Sequence, residues 1–265
     1  MSFVKLYFAY IRCFIKARSE YRVSFFMGML ANFYSYFINF LLFYVIIQNF
    51  GSIRGWEFYD LCILYGLNLL TYAIAAMLFW TVFGVEHDNL GGNLDVLLIR
   101  PLSLIKSLIC RKMVDTFWGQ IIVTVGFIGV ALVKENIISD IEKLLFFFLS
   151  ILGGVMIHAA TMVFFGALSF WTQRSLFLAD LIYYDFRIFL EYPLTIFPVW
   201  IKYVFTFVLP WAFINYYPSL VLLNKGVSTF DYIMGGISPV VGAILFGLSI
   251  QFFYFGLKQY EGSGS

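Results

Sequence analysis

The side chains that could carry out chemistry are few and scattered in this chain. Asp180, Asp185 and Glu191 come nearest to an acidic cluster, and paired carboxylates can act as general acid and general base. The sequence contains no D-D-x-x-D, G-x-S-x-G or H-E-x-x-H pattern, which would indicate a known catalytic site. An enzyme that modifies membrane lipids is kept only as an alternative hypothesis.

Neither histidine predicts a catalytic or metal site. His87 lies between Glu86 and Asp88, and three consecutive residues cannot converge on one ion from one helix face. We therefore expect no metal site. His158 lies among the small residues of the stretch 153–160, where helices can approach closely, so we expect it to bond to a neighbouring helix.

Two apolar stretches carry polar residues along one helix face. These residues are Asn32, Tyr36 and Asn39 in the first stretch and Tyr65, Asn68 and Tyr72 in the second. Polar groups at membrane depth must face protein or water. The two faces indicate either a translocation path lined by amides and phenols or hydrogen bonds between helices, and both interpretations stay open.

A polar island, residues 86–112, separates two apolar stretches. Gly91 and Gly92 allow a sharp turn, and Asn93 or Asp95 is placed to cap a short helix that ends before Pro101. Three leucines would form an apolar ridge on this helix, which suits a groove in a partner protein; a loop lying on lipid head groups is the alternative. The residues expected to make the contact are Asn93, Leu94, Asp95, Leu97, Leu98, Arg100 and Pro101.

Composition indicates that lipid is the main solvent of this chain. Hydrophobic residues make up 62% and charged residues 12% of the sequence, whereas soluble domains carry about 25% charged residues. The net charge of +2 argues against nucleic acid as a partner. Because a spanning helix needs about 20 apolar residues, we expect an all-α polytopic membrane protein with a single domain over 1–265. The predicted spans are 24–47, 58–83, 114–133, 144–170, 174–197 and 237–257.

The first 22 residues predict a helix at the membrane surface, because aromatic residues and basic residues occupy separate faces. Lysine and arginine placement predicts the orientation of the spans. With the N-terminus in the cytoplasm, most of the 17 basic residues lie inside, and both termini and the island are then cytoplasmic. The residues placed inside are Lys5, Arg12, Lys16, Arg18, Arg22, Arg100, Lys106, Arg111, Lys112, Arg174 and Lys258.

The stretch 174–222 allows two interpretations. By hydropathy, 199–217 is the fifth span and 174–197 is a cytoplasmic interfacial helix. Alternatively, 174–197 is a charged fifth span, in which Arg187 and Glu191 pair at i,i+4, and 199–222 is a re-entrant hairpin on the outer face. Four of the six prolines fall in this stretch, and non-helical backbone at membrane depth is tolerated where protein or water surrounds it.

Four segments resemble the ABC-2 type permeases, the membrane subunits of bacterial ABC exporters. They are YPLTIFPVW at 192–200, FVLP at 207–210, YPS at 217–219 and GNLDVLLIRP at 92–101. The resemblance extends over nearly the whole chain. It implies that a short cytoplasmic helix within 88–103 docks into a cleft of an ATPase, and that the hairpin 199–222 is re-entrant.

The resemblance implies one subunit of an ATP-driven exporter in the bacterial plasma membrane. A second permease subunit, identical or homologous, and two ATPase subunits would complete it. The sequence has no G-x-x-x-x-G-K-[ST] phosphate loop, so ATP and magnesium are expected on the ATPase, with no cofactor and no catalysis on this chain. An amphipathic drug, peptide, lipid or glycolipid would each suit an aromatic-rich path. A secondary transporter driven by an ion gradient is the first alternative, ahead of the lipid-modifying enzyme. Such carriers often show internal repeats, and 1–133 and 134–265 show no convincing repeat.

Overall fold

A computed structural model describes residues 9, 10, 12, 22–111, 114–172, 174–226 and 228–260. The regular elements of these residues are all helical, and the helix expected at the membrane surface over 1–22 lies almost wholly outside them. In chain order the helices are α1 (Arg22–Phe50), α2 (Phe58–Phe83), α3 (Val85–Leu90), α4 (Asn93–Leu98), α5 (Leu104–Arg111), α6 (Phe117–Lys134), α7 (Ile141–Leu168), α8 (Ser175–Ala179), α9 (Asp185–Arg187), α10 (Val199–Tyr203), α11 (Tyr216–Leu222) and α12 (Thr229–Leu257).

Five helices of the described part are long and apolar enough to cross a bilayer, namely α1, α2 with its continuation into α3, α6, α7 and α12. The bent helix pair within 199–222 would make six if it counted as one span. The protein is therefore an all-α polytopic membrane protein, as the composition predicts.

Helices α2, α7 and α12 run parallel to one another. In each contacting pair of helices, a later residue of one helix meets a later residue of the other. The contacting pairs are Gly154 with Thr71, Gly166 with Val82, Gly153 with Pro239 and Phe164 with Phe252. Helix α6 runs the opposite way along α2, since Gln120 donates to the Leu69 carbonyl at 2.8 Å while Gly66 packs against Ile128. We call the end where α2, α7 and α12 begin the hairpin end, and the other the island end.

Helix α2 lies at the centre of the bundle and is almost wholly buried, whereas α1 lies at its edge. Bulky side chains such as Phe26, Met27 and Leu30 of α1 are exposed. Lipid and another protein accommodate the apolar side chains of a membrane protein equally well. The exposed side of α1 is therefore suited to contact either lipid or a second protein.

A charged segment, Ser175–Glu191, returns from the island end toward the hairpin end. It consists of α8, a π-helical turn at Asp180–Tyr184, α9 and a 3₁₀ turn at Ile188–Glu191. Near its far end, the Leu190 carbonyl accepts a hydrogen bond from Asn215, which also donates to Leu64 of α2. The residue before a proline avoids the helical region, and Tyr192, which precedes Pro193, is extended. The segment is not among the five long apolar helices, so the span predicted over 174–197 stays a prediction.

The bent pair comprises Val199–Val208 and Pro210–Leu222, which meet at an angle of 80°. Lys202 pairs with Asp231 at 2.9 Å, and Lys225 pairs with Asp60 at 2.8 Å. Both carboxylates belong to the first turns of long helices, so both ends of the bent pair lie at the hairpin end. This shape is that of a broken span or a re-entrant loop, and the two ion pairs favour the re-entrant arrangement.

Helix α12 begins at Thr229, eight residues before the range 237–257 that hydropathy predicts for the last span. The earlier start comes from a capping box, in which the Ser228 side chain accepts from the Asp231 N–H and the Asp231 carboxylate accepts from the Ser228 N–H. Caps satisfy backbone groups that hydropathy does not register, so the apolar run underestimates the length of this helix.

Candidate functional site: the polar island and the tyrosine-enclosed arginine

The island folds into three short helices, α3, α4 and α5. Gly92 precedes α4 with a φ of 69°, in the left-handed region that glycine adopts without a steric penalty. No side chain caps α4, so the expectation that Asn93 or Asp95 would do so is wrong. Asp95 instead accepts a hydrogen bond from the Tyr260 hydroxyl at 3.2 Å, which ties α4 to the chain beyond α12.

The apolar ridge expected on α4 is divided between two faces. Leu94 and Leu97 are buried in the protein, while Leu98 is 41% exposed. The exposed apolar surface comprises Leu98 together with Val96 and Ile99, whose exposed fractions are 54% and 84%. The surface available to a partner is therefore formed by Val96, Leu98 and Ile99 and not by the three leucines. We call these three residues, the last of which directly follows the helix, the outer face of α4. Asn93, Asp95, Arg100 and Pro101 are also exposed.

Glu86 joins the island to the charged segment. Its Oε2 atom accepts hydrogen bonds from the Ser175 hydroxyl at 2.6 Å and from the Leu176 backbone N–H at 2.7 Å. The first backbone N–H groups of a helix have no partner within that helix, and a carboxylate near them is favoured by the helix dipole. Glu86 is buried. Because of its two hydrogen bonds, this residue of α3 serves as the N-terminal cap of the charged segment.

One further bond closes the island on itself, and two more attach it to the bundle. Asp88 forms an ion pair with Arg111, which closes α3 onto α5. Asn89 donates to the Ser169 carbonyl just beyond α7 at 2.7 Å. The Thr81 hydroxyl of α2 donates to the Leu108 carbonyl of α5 at 2.7 Å. The island is thus bonded on its inner side to α2, to the end of α7 and to the charged segment, while the outer face of α4 is free of the bundle.

The polar residues on the faces of α1 and α2 differ in their hydrogen-bond partners. Asn39 donates to the Tyr65 hydroxyl at 3.1 Å, a bond between the two helices, and Asn32 donates to the Gly28 carbonyl of its own helix. The bond between Asn39 and Tyr65 is of the interhelical kind, whereas the bond of Asn32 within its own helix favours neither interpretation. Asn68 is buried, and its Oδ1 atom has no hydrogen-bond partner among the described residues.

Tyr36 and Tyr72, the other two predicted path residues, converge on Arg187. The guanidinium carbon of Arg187 lies 3.9 Å from the centre of the Tyr72 ring and 5.9 Å from that of Tyr184. The hydroxyls of Tyr36 and Tyr183 also lie close to the guanidinium. Sequence reasoning singled out Tyr36 and Tyr72, but it paired Arg187 with Glu191 and not with these tyrosines.

The ion pair expected between Arg187 and Glu191 is not formed among the described residues. An i,i+4 pair requires α-helical geometry, and Ile188–Glu191 is a 3₁₀ turn, in which residues three apart eclipse each other. An arginine at the centre of a membrane span costs about 2.5–3.5 kcal/mol, and a desolvated cation–π contact supplies about 2 kcal/mol. The Nη1 atom of Arg187 is buried without a hydrogen-bond partner in the described part of the chain.

His158 bonds to a neighbouring element, as its surroundings predict. Its Nδ1 atom lies 2.7 Å from the Tyr183 hydroxyl, and its ring forms an edge-to-face contact with that of Tyr72. The bond joins α7 to the π-helical turn of the charged segment. His158 therefore holds Tyr183 in place beside Arg187.

A cavity of about 600 Å³ extends from His87 of the island toward these tyrosines. We call it the aromatic vestibule. Five of its lining residues are aromatic, and Asp180 contributes the one carboxylate: Tyr72, Trp80, Phe83, Phe117, Tyr184 and Asp180. A cavity of this size and lining suits a small molecule with a large apolar part.

The comparisons with known proteins agree with the fold. A family model described as "ABC-2 family transporter protein" matches residues 33–264, which is most of the chain. No curated protein and no solved structure matches the chain. The chain therefore belongs to the ABC-2 transporter family, and it is a multi-pass permease of an ABC transporter.

Proposed function

We propose that this chain is the membrane subunit of an ATP-driven exporter and that the island receives the force of a separate ABC ATPase. One observation carries this proposal. The outer face of α4 is apolar and exposed, and the opposite side of the island is bonded to three membrane elements. A short apolar helix face is a suitable insert for a groove in a partner protein.

The bonds of the island make it suited to transmit motion. When two ATPase subunits close on ATP and magnesium, they would displace the island as a rigid body. The displacement would pass through Glu86 to the charged segment and through Asn89 to the end of α7. The nucleotide and the metal belong to the ATPase, and this chain supplies the moving elements.

The proposed direction of transport is outward, from the cytoplasm or the inner leaflet. The lining of the aromatic vestibule includes His87 of the island, and the distribution of lysine and arginine predicts that the island and both termini are cytoplasmic. The path would continue along Tyr36, Tyr72 and Asn68, and it would carry an amphipathic substrate such as a drug, peptide, lipid or glycolipid. The exposed side of α1 offers a surface for a second permease subunit, identical or homologous.

A co-purification experiment tests the docking. The permease and its ABC ATPase are co-expressed, and the double variant Val96→Asp with Ile99→Asp is compared with Ile138→Asp. Ile138 is likewise exposed but lies between α6 and α7, at the hairpin end. We expect the double variant to lose the ATPase and its vanadate-sensitive hydrolysis, and the control to keep both. Undiminished co-purification of the double variant would contradict the docking proposal.

The alternatives give different outcomes in the same preparation. A carrier driven by an ion gradient would produce substrate-dependent proton or sodium flux from this chain alone, and a lipid-modifying enzyme would produce a covalently altered lipid. Either outcome, without any dependence on the ATPase, would replace the proposed function.

A further inference from the structure

Arg187 is half-buried and forms no ion pair among the described residues, and it contacts two rings that line the aromatic vestibule. We propose that Arg187 binds an anionic group, a phosphate or a carboxylate, of an amphipathic substrate whose apolar part occupies the vestibule. This assignment rests on the proposed function, because it names the substrate class of the same transport path. The two rings that contact the guanidinium, those of Tyr72 and Tyr184, also line the vestibule.

The chemistry around Arg187 favours an anion as the missing partner. Its Nη1 atom is buried and has no hydrogen-bond partner among the described residues, and neither Asp180 nor Glu191 forms an ion pair with it. Guanidinium presents its donors in a planar fork that matches the oxygens of phosphate and carboxylate. A bound anion would both satisfy the free donor and neutralise the buried charge.

Charges of both signs lie near the vestibule: Asp180 in its lining, Arg187 against its tyrosine rings, and Glu191, which interacts with Arg187 without forming an ion pair. Asp180, the one carboxylate in the lining, is exposed, so solvent and ions screen it strongly. Tyrosine rings lie against the guanidinium and its Nη1 atom is buried, so its field is screened less than that of Asp180. The vestibule therefore attracts an anionic head group toward its inner end, even though a carboxylate lies in its wall.

Tyr72 and Tyr184 both line the vestibule and contact Arg187 in this structure. Their hydroxyls lie 3.5 Å apart. Tyr184 belongs to the π-helical turn of the charged segment, and such turns are frequent at functional sites. The same segment begins at its bonds to Glu86 of the island, so a shift of the island would be transmitted to the segment that carries Tyr184.

A binding experiment on the purified full chain in lipid nanodiscs, without an ATPase, tests this inference. The probes are dodecyl phosphate, inorganic phosphate and dodecyltrimethylammonium, and calorimetry gives each affinity. We expect dodecyl phosphate to bind more tightly than either of the other probes. Equal or tighter binding of the ammonium probe would overturn the inference, since an organic cation would then be held by the aromatic rings and Asp180. Equal binding of inorganic phosphate would assign the site to a free anion and would also overturn it.

Variants of Arg187 give a second readout. Arg187→Gln should weaken dodecyl phosphate binding about 10- to 100-fold, as expected for the loss of a charge-assisted hydrogen bond. Arg187→Lys should retain much of it, and Arg54→Gln, a change at an exposed arginine of the hairpin end, should leave it unchanged. An unchanged affinity in folded Arg187→Gln would contradict the inference. The comparison of probes on the unaltered chain decides the case if that variant does not fold. Because no ATPase is present, failure of the island docking would leave these affinities as they are.

Discussion

The substitution Glu86→Gln tests the mechanical link between the island and the charged segment. One carboxylate oxygen accepts two hydrogen bonds, from Ser175 and Leu176. Hydrogen bonds to charged groups contribute about 1.5–3 kcal/mol and neutral ones about 0.5–1.5 kcal/mol. Removing the charge therefore costs about 1 kcal/mol per bond, and about 2 kcal/mol in all corresponds to about 30-fold in the opening equilibrium.

Hydrogen exchange measured by mass spectrometry on peptides that cover Leu176 reads this opening directly. We expect the exchange of the Leu176 amide to accelerate about 30-fold in Glu86→Gln, because exchange follows the fraction of open helix. Glu142→Gln is the matched control, since Glu142 lies exposed in the first turn of another helix, α7. An unchanged exchange rate in Glu86→Gln, or an equal acceleration in the control, would refute the reasoning.

Three further predictions concern packing and topology. Gly166→Ala should lower the melting temperature of the detergent-solubilised protein, at a cost of about 1–3 kcal/mol, because the added methyl group would meet the Val82 carbonyl, whereas Gly129→Ala faces open space and should not. Leu97→Asp should reduce the yield of folded protein, because Leu97 is buried, and Ile99→Asp should not; equal yields would show that α4 is turned differently. Lys202→Cys, in a background without the native cysteines, should react with an impermeant maleimide from outside the cell, and labelling only from inside would contradict the re-entrant arrangement of the bent pair.

Hydropathy was sufficient to predict an all-α polytopic membrane protein, because a long apolar stretch predicts a spanning helix whether its side chains face lipid or protein. The same signal could not tell which side of a short helix faces inward. In α4 the leucines at 94, 97 and 98 share one face with an arc of about 100°, and local spacing does not say which part of that face is buried. The burial of Leu94 and Leu97 depends on where Gly92 starts the helix and where Tyr260 holds Asp95. These are tertiary constraints that local spacing does not contain.

The surroundings of Arg187 show the same limit for charge pairing. The spacing to Glu191 predicts a contact only if the helix keeps 3.6 residues per turn, and here a π-helical turn precedes Arg187 and a 3₁₀ turn follows it. The tyrosines were a better guide, since polar groups inside a span must face protein, and Tyr36 and Tyr72 do face a shared partner. The role of Glu86 as a cap was not predicted, although a carboxylate directly after a long apolar helix was a visible signal.

The most direct test of the central claim is site-specific photocross-linking at the outer face of α4. A benzoylphenylalanine is placed at position 99 in the permease co-expressed with its ABC ATPase, and the same residue at position 138 serves as the control. Docking at the island predicts an adduct with the ATPase from position 99 and none from position 138. An intact complex that gives no adduct from position 99, or gives one from position 138 instead, would contradict it.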